Sequence, residues 1–370
     1  MRSRQRPAGA RHQSGQRTRV NTLALGAVPL LCLTSAFTLD HIPFTDVSLT
    51  VPYAAQGPGP TFNTLGDLDG VPVVEIEGAA EGQTSGNLNM TTVSVRTNMT
   101  LAQALGRWLV TGDTIVPIDQ IMPPNLSEDE IKQRNEAAFV SSEATATVAA
   151  MRFLGRPTSV VIHQAIEGSA AEGKLEAGDV ITAIDGVEVT EPDDVKSKVE
   201  ARKPGETIAL KIYRAGAHED VEVILGENRE DSSKPQLGIL MTSEPADGLH
   251  VNYNLQDIGG PSAGMIFALA VIDKLSPGQL NGGRFVAGTG TVDANEAVGP
   301  VGGITHKIEA ARDAGAELFL APAANCDEAA SAKAGEMKVA RVSNLDEAVQ
   351  AMKDFDEGRE VASCAPPKEK

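Results

Sequence analysis

Apolar residues are distributed along this chain in three ways. The first is a continuous run near the start, Val20–Leu39, twenty residues without a charge. As a helix it measures roughly 30 Å, about one bilayer core. The second is a set of short stretches with strand character. VPVVEIEG (71–78) and LNMTTVSV (88–95) flank the turn AAEGQTSG. TLAQALGRWL (100–109) predicts a short helix capped by Thr100. Residues 123–155 predict one long helix or two, with Ser127 and Glu130 at capping-box spacing. From about 151 to 228, strands TSVVIHQA, GDVITAIDGVEV, ETIALKIYR and VEVILG surround a single helix, EPDDVKSKVEAR, with Pro192 near its start. The third regime is helix alternating with strand: GLHVNYN, the buried-type helix SAGMIFALAVIDKL, RFVAGTGTV, the helix ITHKIEAARDAG, AELFLAP, CDEAASAKAG, MKVARV and NLDEAVQAM. Fold class is therefore α/β (of the α+β kind), with a β-rich unit at about 151–228 and one N-terminal transmembrane helix expected.

Charge sharpens the reading of the first run. Residues 1–19 hold six arginines and no acid, and Asp40 follows the span. That asymmetry predicts a cytoplasmic N-terminus, a single span and a body outside the cytoplasm. A cleaved signal peptide is the rival reading, because Thr34–Ala36 offers small residues, but the run exceeds a usual signal core. The remainder of the chain is strongly acidic, and the net charge of −18 argues against nucleic acid as a partner. Cys326 and Cys364 stand far apart in sequence, so pairing and two free thiols both stay open.

Candidate chemistry centres on GGPSAG, Gly259–Gly264, which presents Ser262 in a glycine-rich turn before an apolar helix. Three readings compete. Ser262 can be a helix cap. It can be a hydrolase elbow, since GPSAG fits G-x-S-x-G, with His306 as base and Asp273 or Asp293 as acid. Or it can be the nucleophile of a Ser-Lys dyad. A lysine base must shed its proton near neutrality, which burial and a helix N-terminus both favour. Lys307 meets that demand in the first turn of a predicted helix, between Ile304 and Ile308. His306, beside it, is expected to face solvent. A decoy lies at Gly168–Leu175: GSAAEGKL approaches a phosphate-binding loop, but Leu175 stands where a hydroxyl is needed. No cofactor and no metal are expected.

Two stretches resemble known families. GSAAEGKLEAGDVITAIDGVEV, with the helix and strand pair that follow, resembles a PDZ domain of the bacterial protease-associated type. The resemblance implies a groove between a strand and the Asp193–Ala201 helix that takes extended peptides, often C-termini. It puts Leu154 and Gly155 at the carboxylate-binding loop. GGPSAGMIFALAVIDKL and VAGTGTVDANEAVGPVGGITHKIEAARDAGAELFLAP resemble the peptidase domain of Lon-type (S16) proteases. In that family a G-P-S-A-G serine works with a lysine some forty-odd residues later, after a P-[VI]-G-G turn. Here the separation is 45 residues. The resemblance implies Ser262 as nucleophile, Lys307 as general base and Thr289 as the residue that orients the lysine. Gly260, Ala263 and Gly264 then form the turn that supplies oxyanion donors. An acid often precedes the motif in that family; this chain has Gly259 there, with Asp257 displaced.

VPVVEIEGAAEGQTSGNLNMTTVSV resembles the opening strands of the same domain, which makes the PDZ unit an insertion. The expected order is a basic N-terminus (1–19), an anchor (20–39), a linker (40–65), the first peptidase part (66–150), PDZ (151–228), the catalytic part (235–355) and a disordered tail (356–370). That order is similar to the YlbL-type membrane-bound Lon-like proteases of bacteria. It implies an endopeptidase that needs no ATP, acts on polypeptides through their C-termini or unfolded segments, and self-assembles, as a hexamer in the family's usual manner. The alternative class is a non-catalytic PDZ scaffold.

Overall fold

A computed structural model describes residues 37–364, apart from 38, 43, 46, 124–125, 229–230, 256–257 and 277–278. The expected anchor, except Phe37 and Leu39, lies outside the described residues, as do the basic residues 1–19 and the last six residues. No helix among the described residues is long and apolar enough to cross a membrane. In chain order the elements used here are β1 (Tyr53–Asn63), β2 (Val74–Glu77), β3 (Asn87–Arg96), α1 (Leu101–Gly106) continued by a π-helical turn (Arg107–Thr111), β4 (Thr114–Pro117) and α2 (Glu128–Phe153). There follow β5 (Thr158–Ala165), β6 (Val180–Ile184), α3 (Pro192–Glu200), β7 (Thr207–Arg214), β8 (Ala217–Ile224), β9 (Ile239–Pro245) and β10 (His250–Tyr253). The chain continues with α4 (Gly264–Leu275), β11 (Phe285–Gly288), α5 (Ile304–Ala314), β12 (Leu318–Pro322), α6 (Cys326–Ala329), β13 (Lys338–Val342) and α7 (Leu345–Asp356).

Two compact units divide the described chain: residues up to Gly57 with Ser94–Leu126, and Pro58–Val93 with Ser127 onward. In the first, Tyr53–Gln56 of β1 pair antiparallel with β4, and a small core of Ala55, Met99 and Ala104 holds α1 in place. Thr100 caps α1 with a full capping box through Gln103. The Pro/Gly-rich stretch expected to be a linker is thus a long strand. Pro58 and Pro60 lie past the residues paired with β4, so neither removes a donor from that ladder. A side chain at position 59 would collide with Thr92, whose hydroxyl donates to the Pro60 carbonyl at 2.7 Å.

In the second unit a sheet runs β13-β12-β11-β3-β1, parallel from β13 through β3. Helix α4 is its central packing element. Every residue from Gly264 to Lys274 is buried, which is why the sequence there is almost unbroken in apolar residues. Phe267 meets Phe139 of α2 at 5.6 Å between ring centroids and Tyr253 at 4.7 Å. Each such large apolar side chain contributes about 1.5–3 kcal/mol when removed from water. The region 123–155 resolves into one helix from Glu128, and Ser127 and Glu130 form the expected capping box.

The PDZ-like sheet has the order β8-β7-β6-β5-β9, all antiparallel, over a core that includes Ile162, Ile184 and Leu210. It reaches further than residue 228. Leu237 belongs to its core, and β9 pairs along the whole length of β5. From sequence, residues 235 onward are expected in the catalytic part, because the weak apolar alternation of 239–245 gives no strand signal. β3, before this sheet in the chain, pairs with β11, after it, so the sheet sits within the chain between two halves of one layer. The decoy GSAAEGKL is part of the same unit: Leu175 is buried in its core and Lys174 donates to the Glu222 carbonyl at 2.7 Å.

Between residues 356 and 364 the tail expected to be disordered is held by backbone bonds. Ala362 O accepts from Arg341 N at 2.7 Å, and Cys364 N–H donates to Val339 O at 3.1 Å, laying the segment along β13. Cys364 is buried and joined to Cys326 by a disulfide. Composition hides this order because backbone pairing and a covalent link supply it, not an apolar face.

Candidate active site

Three segments meet at Ser262. It sits in the turn Pro261–Ala263 just before α4, and two conformational demands fix that turn. Gly260 N–H donates to Asn135 O of α2 at 2.9 Å, and Ser142 Oγ of α2 donates to Pro261 O at 3.1 Å. Gly264 must be glycine because a side chain there would lie 2.8 Å from Ser142 Oγ and 3.2 Å from Val292. From the other side, Ser262 O accepts Gly290 N–H and Thr289 Oγ1, both at 2.9 Å.

Lys307 arrives on α5. Gly303 opens that helix at φ 67°, a left-handed value that glycine adopts without strain. Asn325 holds the preceding loop, accepting Val301 N–H and donating to Val301 O, each at 2.9 Å. Ile304 and Ile308 are fully buried beside Lys307, which is itself 2% exposed. Its Nζ lies 2.8 Å from Ser262 Oγ and 2.9 Å from Thr289 Oγ1. Thr289 is fully buried. Burial pushes the Lys307 amine down from 10.5 to about 8. Among the described residues, no acid is hydrogen-bonded to Nζ. An amine so placed can be neutral near physiological pH and can take a proton from the serine hydroxyl.

The expected residues therefore divide. Ser262, Thr289 and Lys307 come together. Of the three turn residues, Gly260 and Gly264 spend their amides on Asn135 O and Pro261 O (the latter at 3.4 Å), which leaves Ala263 at the head of α4. His306 is buried, not solvent-facing, because α5 packs on both sides of its first turn. Asp273 accepts Leu280 N–H and Asp293 accepts Asn295 and Ala297 N–H, so both proposed elbow acids are committed to backbone turns. Asp257 is outside the described residues. Leu154, expected at the carboxylate-binding loop, is the C-cap of α2, and Gly155, at φ 63°, closes that helix. The strand at the end of the PDZ-like sheet, beside α3, is β9. Gly238, at φ 81°, turns the chain into it. Sequence reasoning missed Ser142, Asn135 and Asn325, which carry no spacing signal.

Comparisons with known proteins match two parts of the chain. The Lon protease (S16) C-terminal proteolytic domain matches residues 248–353, and the PDZ domain matches residues 129–225. The PDZ match starts within α2 and ends before β9. A probable periplasmic serine endoprotease DegP-like of Bartonella henselae is 32% identical over 79 residues, 20% of this chain and 16% of that protein. One of the same description from Pseudomonas putida (strain GB-1) is 28% identical over 121 residues, 32% of this chain and 25% of that protein. The chain thus spans a quarter or less of these relatives. The crystal structure of the PDZ domain of an SdrC-like protein from Listeria innocua aligns at 27% identity with 22% of this chain and 92% of its own, with a TM-score of 0.21. Through residues 248–353 the chain carries a Lon-type (S16) serine endopeptidase domain, and through residues 129–225 a PDZ domain.

Proposed function

We propose that the chain is a membrane-anchored, extracytoplasmic endopeptidase that works by a Ser-Lys dyad without ATP. The observation that carries this reading is the 2.8 Å approach of a buried Lys307 Nζ to Ser262 Oγ. Ser262 Oγ attacks the scissile carbonyl carbon while neutral Lys307 takes the hydroxyl proton. The tetrahedral oxyanion lies near the start of α4, where the Ala263 N–H is the nearest candidate donor. As the C–N bond breaks, Lys307 returns the proton to the leaving amine. Water then attacks the acyl ester with Lys307 again as base. Thr289 orients Nζ and also donates to Ser262 O, so one hydroxyl fixes both partners.

The anchor reading rests on the arginine-rich start and the uncharged run Val20–Leu39. The Cys326–Cys364 disulfide supports an oxidising compartment. The DegP-like relatives are described as periplasmic, which favours the same side. Substrate polypeptides are recruited by strand addition to β9 beside α3, in place of the loop at Leu154–Gly155. Assembly into a ring is part of this reading and is tested by sizing the full chain in detergent.

The dyad and a histidine base make opposite predictions on adjacent residues. Neighbours on a helix point about 100° apart, so one of them faces the serine. Lys307→Ala is expected to lower peptide cleavage by on the order of 100- to 10,000-fold, with His306→Ala mild. Because the neutral amine is the active form, wild-type activity rises with pH through about 8 and levels off above it. Activity retained in Lys307→Ala and lost in His306→Ala, with a plateau already reached below neutrality, refutes the dyad.

A further inference from the structure

The first unit carries an apolar surface that the peptidase reading leaves unused. Leu101, Leu105 and Trp108 form one stripe at helical spacing along α1 and the π-helical turn, and Leu109 and Val110 follow directly. Trp108 is 58% exposed, Leu109 68% and Val110 85%. Consecutive helical residues point about 100° apart, so no packing of this turn against its own unit can cover all three. The π-helical turn ends at Gly112, in the left-handed region, which stops the helix with these side chains still outward. Val51, Tyr53, Trp108 and Ile115 also line a groove of about 720 Å³. Arg96 and Arg107 stand with Val110 around a second, shallower concavity that no acid lines. Arg107 also meets Asp113 at 3.4 Å.

The sequence before β1 says what covers the surface. The uncharged run ends at Leu39, and β1 begins at Tyr53. The thirteen residues between reach at most ~45 Å when fully extended. A unit on so short a leash stays close to the bilayer that holds the run. An exposed Trp and Tyr, a set of aliphatic side chains and two flanking arginines are the composition of an interfacial contact with anionic headgroups. We infer that residues 101–111 seat on the lipid surface, with Trp108, Leu109 and Val110 entering the headgroup region. This inference rests on the anchor reading. It adds that the bilayer both tethers the chain and fixes the orientation of its first unit.

Trp108 is the chain's single tryptophan, so its fluorescence reads this surface alone. The full chain is placed in nanodiscs of phosphatidylcholine and phosphatidylglycerol, with and without bromine-labelled acyl chains. Expected are a blue-shifted emission, quenching by the brominated lipid and protection from iodide. Leu109→Glu with Val110→Glu, which keeps the tryptophan and alters exposed positions, is expected to restore iodide access without releasing the chain. The seated-to-free ratio falls on the order of tenfold for each apolar group replaced. A chain that co-elutes with the discs while Trp108 is open to iodide overturns the seating and leaves the anchor standing. Protection from iodide without quenching by brominated lipid assigns the surface to a protein partner and also overturns it. A chain that does not co-elute with the discs refutes the anchor and this inference together.

Discussion

Keeping Lys307 ready to act as a base has a stability consequence that can be measured apart from catalysis. The perturbation is Lys307→Met in a Ser262→Ala background, which prevents self-digestion of unfolding chains. Lys307 is 2% exposed, and its amine falls from 10.5 to about 8 on folding. Holding the ammonium form in that site costs about 3 kcal/mol relative to the unfolded chain. Methionine fills the same channel without charge. Against this gain stands the bond from Nζ to Thr289, worth about 1 kcal/mol; the bond to Ser262 is absent from both proteins compared. Thr289 keeps its bond to Ser262 O. The net expectation at pH 7 is a gain of about 1–2 kcal/mol for the methionine variant.

The advantage of methionine depends on pH. Between about 8 and 10.5 the unfolded chain binds more protons at this residue than the folded one. The lysine-containing protein therefore gains stability as pH rises through that window, and the advantage of methionine shrinks toward its upper end. Urea unfolding followed by circular dichroism at pH 7 and pH 10 reads both values. A methionine variant that is less stable at pH 7, or a difference that does not change between the two pH values, refutes the claim that Lys307 is held against its charged form.

Two further outcomes concern the supports of the site. Ser142→Ala removes one donor to Pro261 O, leaves Ser262 and Lys307 in place, and is expected to lower kcat by about fivefold with little change in KM, as loss of one modest hydrogen bond implies; an unchanged kcat removes Ser142 from the positioning set. The Cys326–Cys364 link closes a separation of 38 residues, for which chain entropy gives a stabilisation of about 4 kcal/mol. Reductant should lower the unfolding midpoint of the wild type and leave Cys326→Ser with Cys364→Ser unaffected, and equal sensitivity of both would sink that account.

Much of this was legible in the residues because local chemistry and global fold agree there. The glycines around Ser262 and at Gly303 are fixed by close approach and by a left-handed turn, and both needs act over a few residues. The continuous apolar helix α4 announced its own burial. What stayed hidden depends on partners distant in sequence. Ser142 matters because α2 crosses the serine turn, and nothing in SSEATATV marks one serine over its neighbour. The burial of His306 follows from packing around α5, whereas its polarity suggested the surface. Proline and glycine in β1 spoke for a linker until their pairing was seen, and the polar tail gave no apolar signal for a strand-like path held by a disulfide. Leu154–Gly155 resembled a ligand loop in composition, but a Leu-Gly pair also ends a helix, and here the second need applies.

The end of α2 decides where the PDZ sheet can be removed. Pro157 O accepts the Ala246 N–H at 3.0 Å, and Arg156 pairs with Asp247 at 2.6 Å, so the two ends of the insertion already touch. Cutting at 151–228, the boundary read from sequence, would delete the fully buried Met151 and would remove β5 while leaving its partner strand β9 behind unpaired. Deleting 158–245 and joining the ends through a short glycine linker removes one whole sheet and its core. The groups that hold Ser262 — Asn135 and Ser142 before the insertion, Thr289 and Gly290 after it — all remain. Cleavage of a short fluorogenic peptide should therefore survive the deletion. Cleavage of an unfolded protein substrate should fall on the order of tenfold or more, because a tethered recruiting site raises the local concentration of its ligand. Both rates are measured on the same preparation, so misfolding, which lowers both, is told apart from lost recruitment. Undiminished cleavage of the protein substrate would strip the PDZ domain of its recruiting role.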